Sequence, residues 1–119
     1  MNIPGLTVAK TAEGEVKPRV IVCHGNEDGL AKTAIDGTAL LIGVSTIVGG
    51  GDGEVFDVVR SGLAQVFYSE TIAIGDPITA NADGRAKKAM SGDFIIGYAE
   101  VAGNADELGT IWIAPSKQA

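Results

Sequence analysis

The chain has 119 residues, with nine Lys and Arg against fifteen Asp and Glu, a formal net charge of −6, one cysteine and one histidine. The length suits a single domain with a modest core. The acidic balance excludes nucleic acid as a partner, because such a surface cannot neutralise phosphates. A lone Cys23 rules out an intrachain disulfide. No apolar run approaches the roughly 18 residues of a membrane span, and the N-terminus lacks a basic region followed by an apolar stretch. The expectation is a soluble chain made in the cytoplasm, without a membrane partner.

Seventeen glycines, many beside Asp or Asn, are spread evenly along the chain and punctuate short strands rather than helices. Residues 1–19, with Pro4, Gly5, Gly14 and Pro18 and little apolar density, read as an extended arm, loosely held in the monomer and suited to reaching neighbours. Residues 20–119 read as a single β domain. Within the arm, Leu6 to Val8 has strand character. Val20 to His24 is a β-branched strand stopped by the loop Gly25 to Gly29. Leu30 to Ala34 and Ala39 to Val44 follow, and Asp36-Gly37 between them has the chemistry of a hairpin turn. After the tip Gly49 to Gly53 come the strands Glu54 to Arg60 and Leu63 to Tyr68. Pro77 to Ala80 opens on a proline, which cannot donate to a ladder and so belongs at a strand start or an edge. Arg85 to Ala89, Phe94 to Glu100 and Thr110 to Ala114 complete the set, with Pro115 expected to end pairing. Any helix is limited to one or two turns, around Ser45 to Val48 or Ser69 to Ile74.

The strands repeat. DGLAKTAIDGTALLIG, from Asp28 to Gly43, is written again as DGRAKKAMSGDFIIG, from Asp83 to Gly97; with Ala39 unpaired, eight of fifteen aligned positions are identical. The echo extends over about residues 5–59 and 62–113. Two copies are too few for a solenoid, so they are expected to clasp each other as one compact, all-β, barrel-like unit with pseudo-two-fold symmetry. In this alignment Tyr98 matches Val44, and Trp112 matches Asp57 or Val58.

Few residues carry chemistry. Cys23 and His24 are adjacent, but successive strand residues point to opposite faces, so they cannot converge as nucleophile and base. The glycine-rich GGGDGE lacks the Lys-Ser/Thr of a phosphate-binding loop and precedes a strand. The acidic groups Asp52, Glu54 and Asp57, and Asp83 with Asn81, do not follow the spacing of a calcium loop. No catalytic, cofactor or metal residue is assigned. The cations of the arm and Arg60 are instead suited to a carboxylate-rich partner surface.

The segments DVVRSGLAQV (Asp57 to Val66), GDPITANADGRAKKA (Gly75 to Ala89), IIGYAEV (Ile95 to Val101) and IWIAP (Ile111 to Pro115) occur in an order that resembles the capsid cement, or head decoration, proteins of tailed bacteriophages. The likeness covers about residue 20 to the end. Members are sometimes labelled predicted recombinases, a label that the charge and the missing phosphate loop contradict here. The resemblance implies a β-barrel or β-tulip-like fold without catalytic activity or cofactor. It also implies synthesis in the host cytoplasm and residence on the outer surface of the virion head. The implied partners are the major capsid protein and two sister copies, as a homotrimer at three-fold and quasi-three-fold positions. Contact residues are expected at Ile3, Pro4, Leu6, Val8, Lys10, Lys17, Arg19, Arg60 and Trp112. The rival reading is a carbohydrate- or receptor-binding β module displayed on a particle, whose aromatics would cluster on an exposed face.

Overall fold

The computed structural model describes residues 3–117, with side chains from residue 5 onward. It is all β. The first half supplies β2 (Thr7–Ala12), β3 (Ile21–His24), β4 (Leu30–Thr33), β5 (Leu41–Ser45) and β6 (Val55–Val59). These form a closed barrel in the order β2-β4-β3-β5-β6. The second half supplies β7 (Gly62–Phe67), β8 (Pro77–Ala80), β9 (Ala86–Lys88), β10 (Phe94–Ala99) and β11 (Leu108–Lys117), and β1 (Ile3–Pro4) lies on the outer edge of β7.

The second sheet is the first barrel over again. β7, β11, β10, β8 and β9 are ordered as β2, β6, β5, β3 and β4 are. In the first half the ring is closed by a parallel contact at Ala12 and Ala31, with Glu13 N–H donating to the Ala31 carbonyl. In the second it is closed by the parallel bridge of Tyr68 with Ala86, with Ser69 N–H donating to the Ala86 carbonyl. The antiparallel bridge of Val16 with Gly50 likewise recurs as Ile72 with Gly103. The glycines required at the left-handed turn before β4 and before β9, Gly29 and Gly84, recur too. The duplication expected from the sequence is thus carried down to individual backbone hydrogen bonds.

One exchange between the copies shows how each barrel is filled. Ala12 of β2 and Phe56 of β6 correspond to Tyr68 and Gly109, so the aromatic ring arrives from opposite strands in the two barrels. Both rings reach the same place, since a Cβ added to Gly50 would lie 3.2 Å from Phe56 Cβ, and one added to the matching Gly103 would lie 2.9 Å from Tyr68 Cδ2. A Cβ on Gly109 would overlap the Tyr68 ring. Barrel interiors pack near crystal density, so one ring requires one gap.

Phe56 belongs to a core of Ala12, Val16, Val22, Ala31, Ile42 and Val58 inside the first barrel. The larger core fills the second barrel around Tyr68 and Ile96 and continues between the halves through Ile21, Cys23, Leu41, Val44 and Val59. Main-chain bonds cross the same junction: Ile21 N–H to the Gly84 carbonyl, and Phe94 N–H to the Gly37 carbonyl.

Three expectations are corrected. Much of the supposed arm is structural: β2 pairs with β6 from Thr7 to Thr11, and Val16 is buried, because without them the first barrel has no closing strand. Asp36-Gly37 does not make a hairpin, since β3 lies between β4 and β5; Asp36 accepts from the Thr38 amide and hydroxyl, and Gly37 turns toward the second half. Pro115 does not end pairing. The register moves from Ile95 opposite Ser116 to Gly97 opposite Ile113, so Ala114 and Pro115 face the single Ile96 in a bulge that tolerates the missing N–H. The expectation of an all-β chain with at most short helices holds: no helix occurs among the described residues, where Ser45 ends β5 and Ile72 is fixed by its bridge.

Candidate interaction surface

Cross-strand partners share a face of the sheet. In the second half, Pro77 lies opposite Tyr98, Tyr98 opposite Trp112, Trp112 opposite Leu63, and Leu63 opposite Ile3. Pro77, Tyr98, Trp112 and Leu63 thus form a row of apolar residues across four strands on the outside of the barrel. Trp112 is 53% exposed, and its ring centroid lies 6.1 Å from that of Tyr98 at an interplanar angle of 36°.

The same row exists in the first half, where Ile21 lies opposite Val44, Val44 opposite Val59, and Val59 opposite Thr7. The register therefore matches Trp112 to Val59, one residue on from the sequence alignment, and confirms Tyr98 against Val44. The fates of the two rows differ. Ile21, Val44 and Val59 are buried against the second half, whereas Trp112 faces outward. A two-fold pairing of the halves would bury both rows alike; the halves instead pack head to tail, and the face that the first half uses for docking is left uncovered on the second. Pro77 stands where Ile21 donates its N–H to Gly84, so the second face cannot repeat that bond.

The other expected contact residues lie apart. Leu6 is exposed, with its N–H donating to Ser61 Oγ and its carbonyl accepting from Arg60. Arg60 is half-buried, and its Nε donates to the Ile42 carbonyl at 3.2 Å. Val8 packs on the first barrel core, and Lys10 is half-buried opposite Phe56. Ile3 and Pro4 pair with Leu63 and Gly62, placing β1 beside the Trp112 row; their side chains lie outside the description. Lys17 and Arg19 are on a different side, lining a cleft between the halves.

Cys23 is buried and His24 exposed. Burial pushes the Cys23 thiol up, partly countered by Lys32, so the group is held as the less reactive thiol. Among the described residues, no group of three or more His, Cys, Asp and Glu gathers as metal ligands.

Sequence reasoning identified Trp112 but missed the row. The row depends on pairing between β8, β10, β11 and β7, and no single stretch of sequence displays it. The signal available was the match of Tyr98 to Val44 with Pro77 in place of Ile21.

No family model matches the chain, and no curated protein matches it. Among solved structures, the fold is similar to the crystal structure of the N base of head fiber gp8.5 of bacteriophage phi29, with a TM-score of 0.71 and 21% identity over 96% of this chain and 98% of that one.

Proposed function

We propose that the chain is a non-enzymatic structural protein of a phage head, and more finely a cement or decoration protein that binds the outer capsid surface and bridges neighbouring capsomers. What carries the reading is the end-to-end correspondence with a head fiber base over nearly the full length of both chains. The outer row of half-buried Pro77, Tyr98 and Leu63 around the exposed Trp112 supports it, because an apolar face of this kind on an otherwise acidic body suits a docking surface. The partners in this reading are the major capsid protein and sister copies in a homotrimer, and the chain resides on the virion after synthesis in the host cytoplasm.

The physics is that of many small contacts. A body of charge −6 repels its own copies in solution. On a shell, each modest contact is multiplied when copies grip the lattice at several points, so occupancy exceeds what a single contact provides. Large aromatics at the centre of such contacts carry most of the binding energy.

Sedimentation of purified heads with wild-type protein and with Trp112→Ser tests the reading. Wild type is expected to pellet with heads, and the variant to remain in the supernatant while keeping its fold. Heads that take up neither protein, or both equally, would overturn it. A displayed carbohydrate-binding module would use the same Tyr98–Trp112 pair as a stacking platform; glycan binding without head binding would favour that reading.

A further inference from the structure

A cleft of about 650 Å³ runs between the two halves, lined by Phe67 from the second half and by Ile35 and Ile47 from the first, the two isoleucines 67% and 69% exposed. Among the charged residues lining it, Glu15, Asp83 and Lys17 are exposed, whereas Arg19 and Arg85 are half-buried. Arg85 lies with its guanidinium carbon 5.5 Å from the centroid of the Phe67 ring and also pairs with Asp106. Arg19 makes no ion pair among the described residues.

Arg19 is also held in an unusual place. Its φ is +57°, in the left-handed region that side chains seldom adopt, and the matching turn in the second half uses Gly75 at +86°. The turn is clamped. Ser45 Oγ donates to the Lys17 carbonyl at 2.7 Å and accepts from Val20 N–H at 3.0 Å, and Arg19 N–H donates to the Thr46 carbonyl. Glycine would meet every backbone requirement of this turn, so the guanidinium is what the strained position supplies. Residues kept against such strain concentrate at binding sites.

We infer that this cleft binds an extended acidic segment of a partner protein, with a carboxylate on the Arg19 guanidinium and an aliphatic side chain between Phe67 and the two isoleucines. A guanidinium matches a carboxylate with two parallel hydrogen bonds, and a half-buried one does so with less competition from water. The exposed isoleucines extend the apolar wall beyond what a small anion would need. The site lies apart from the Trp112 row and does not depend on the assignment to a phage head.

The test uses the full chain and a fluorescein-labelled peptide of alternating leucine and glutamate, with a leucine–lysine peptide as control, read by fluorescence anisotropy. The acidic peptide should bind saturably and the lysine peptide should not. Arg19→Gly should weaken binding at least tenfold while the thermal midpoint stays level or rises, because glycine relieves the turn. Ile47→Ser, at an exposed position, should also weaken binding without affecting folding. Equal binding of both peptides, no saturable binding, or unchanged affinity in Arg19→Gly would overturn the inference. Self-association that disappears in Arg19→Gly would give the cleft to a second copy and would equally overturn it. Head binding without peptide binding would remove this inference and leave the proposed function standing; the reverse result would do the opposite.

Discussion

Moving the aromatic ring from one strand to the other should cost clearly less when both changes are made together than the two single changes cost in sum. Tyr68→Ala removes a fully buried ring and leaves the Val101 and Thr110 carbonyls without its hydroxyl; such truncations cost about 3–5 kcal/mol. Gly109→Phe with Tyr68 in place forces two rings into one site, since even a Cβ there overlaps the tyrosine, and overpacking costs about 1–3 kcal/mol or more. The double variant rebuilds the Ala12–Phe56 arrangement of the first barrel. If the costs were additive it would lose about 4–8 kcal/mol, most of the ~5–15 kcal/mol by which domains are stable. We expect a loss of no more than about 3 kcal/mol, a coupling of at least about 1 kcal/mol. Urea denaturation followed by circular dichroism measures all three variants. A double variant as unstable as the sum of the singles would refute the equivalence of the two barrels.

Gly43→Ala and Gly97→Ala should both destabilise, because the added methyl would overlap the Val59 carbonyl in one barrel and the Trp112 carbonyl in the other; thermal melts should show losses of similar size, and a silent substitution at either site would contradict the shared geometry. Stability should also fall at alkaline pH. Burial raises the Tyr68 phenol and the Cys23 thiol. A raised folded-state pKa gives a contribution that is complete below the unfolded value and is lost as pH rises through the folded one, so the loss should begin above about pH 8.5 for the thiol and about pH 10 for the phenol. Tyr68→Phe should flatten the upper part of a stability profile measured from pH 8 to 11; an unchanged profile would assign the loss elsewhere.

Much of the fold was legible because the chain states it twice. The recurrence of Asp28 to Gly43 at Asp83 to Gly97 placed strands in both halves, and Ala31 against Ala86 and Gly43 against Gly97 are equivalent in the pairing pattern. What escaped was long-range. Thr7–Ala12 reads as weak strand by composition, yet it closes a barrel because β6, nearly fifty residues later, offers it an edge. Asp36-Gly37 has hairpin chemistry, but its carbonyl is taken by Phe94 of the other half. Head-to-tail packing was hidden for a related reason: equal copies suggest equal burial, and only the register reveals that Val44 is covered while Tyr98 lies beside an exposed Trp112.

We propose that this duplicated barrel grips a phage head through the face its second half leaves open. Electron cryomicroscopy of purified heads incubated with excess protein tests it most directly. Ordered density is expected on the outer surface where capsomers meet, with the Trp112 face turned into the contact; bare heads in the presence of folded protein, or bound copies with that face turned to solvent, would refute this mode of attachment.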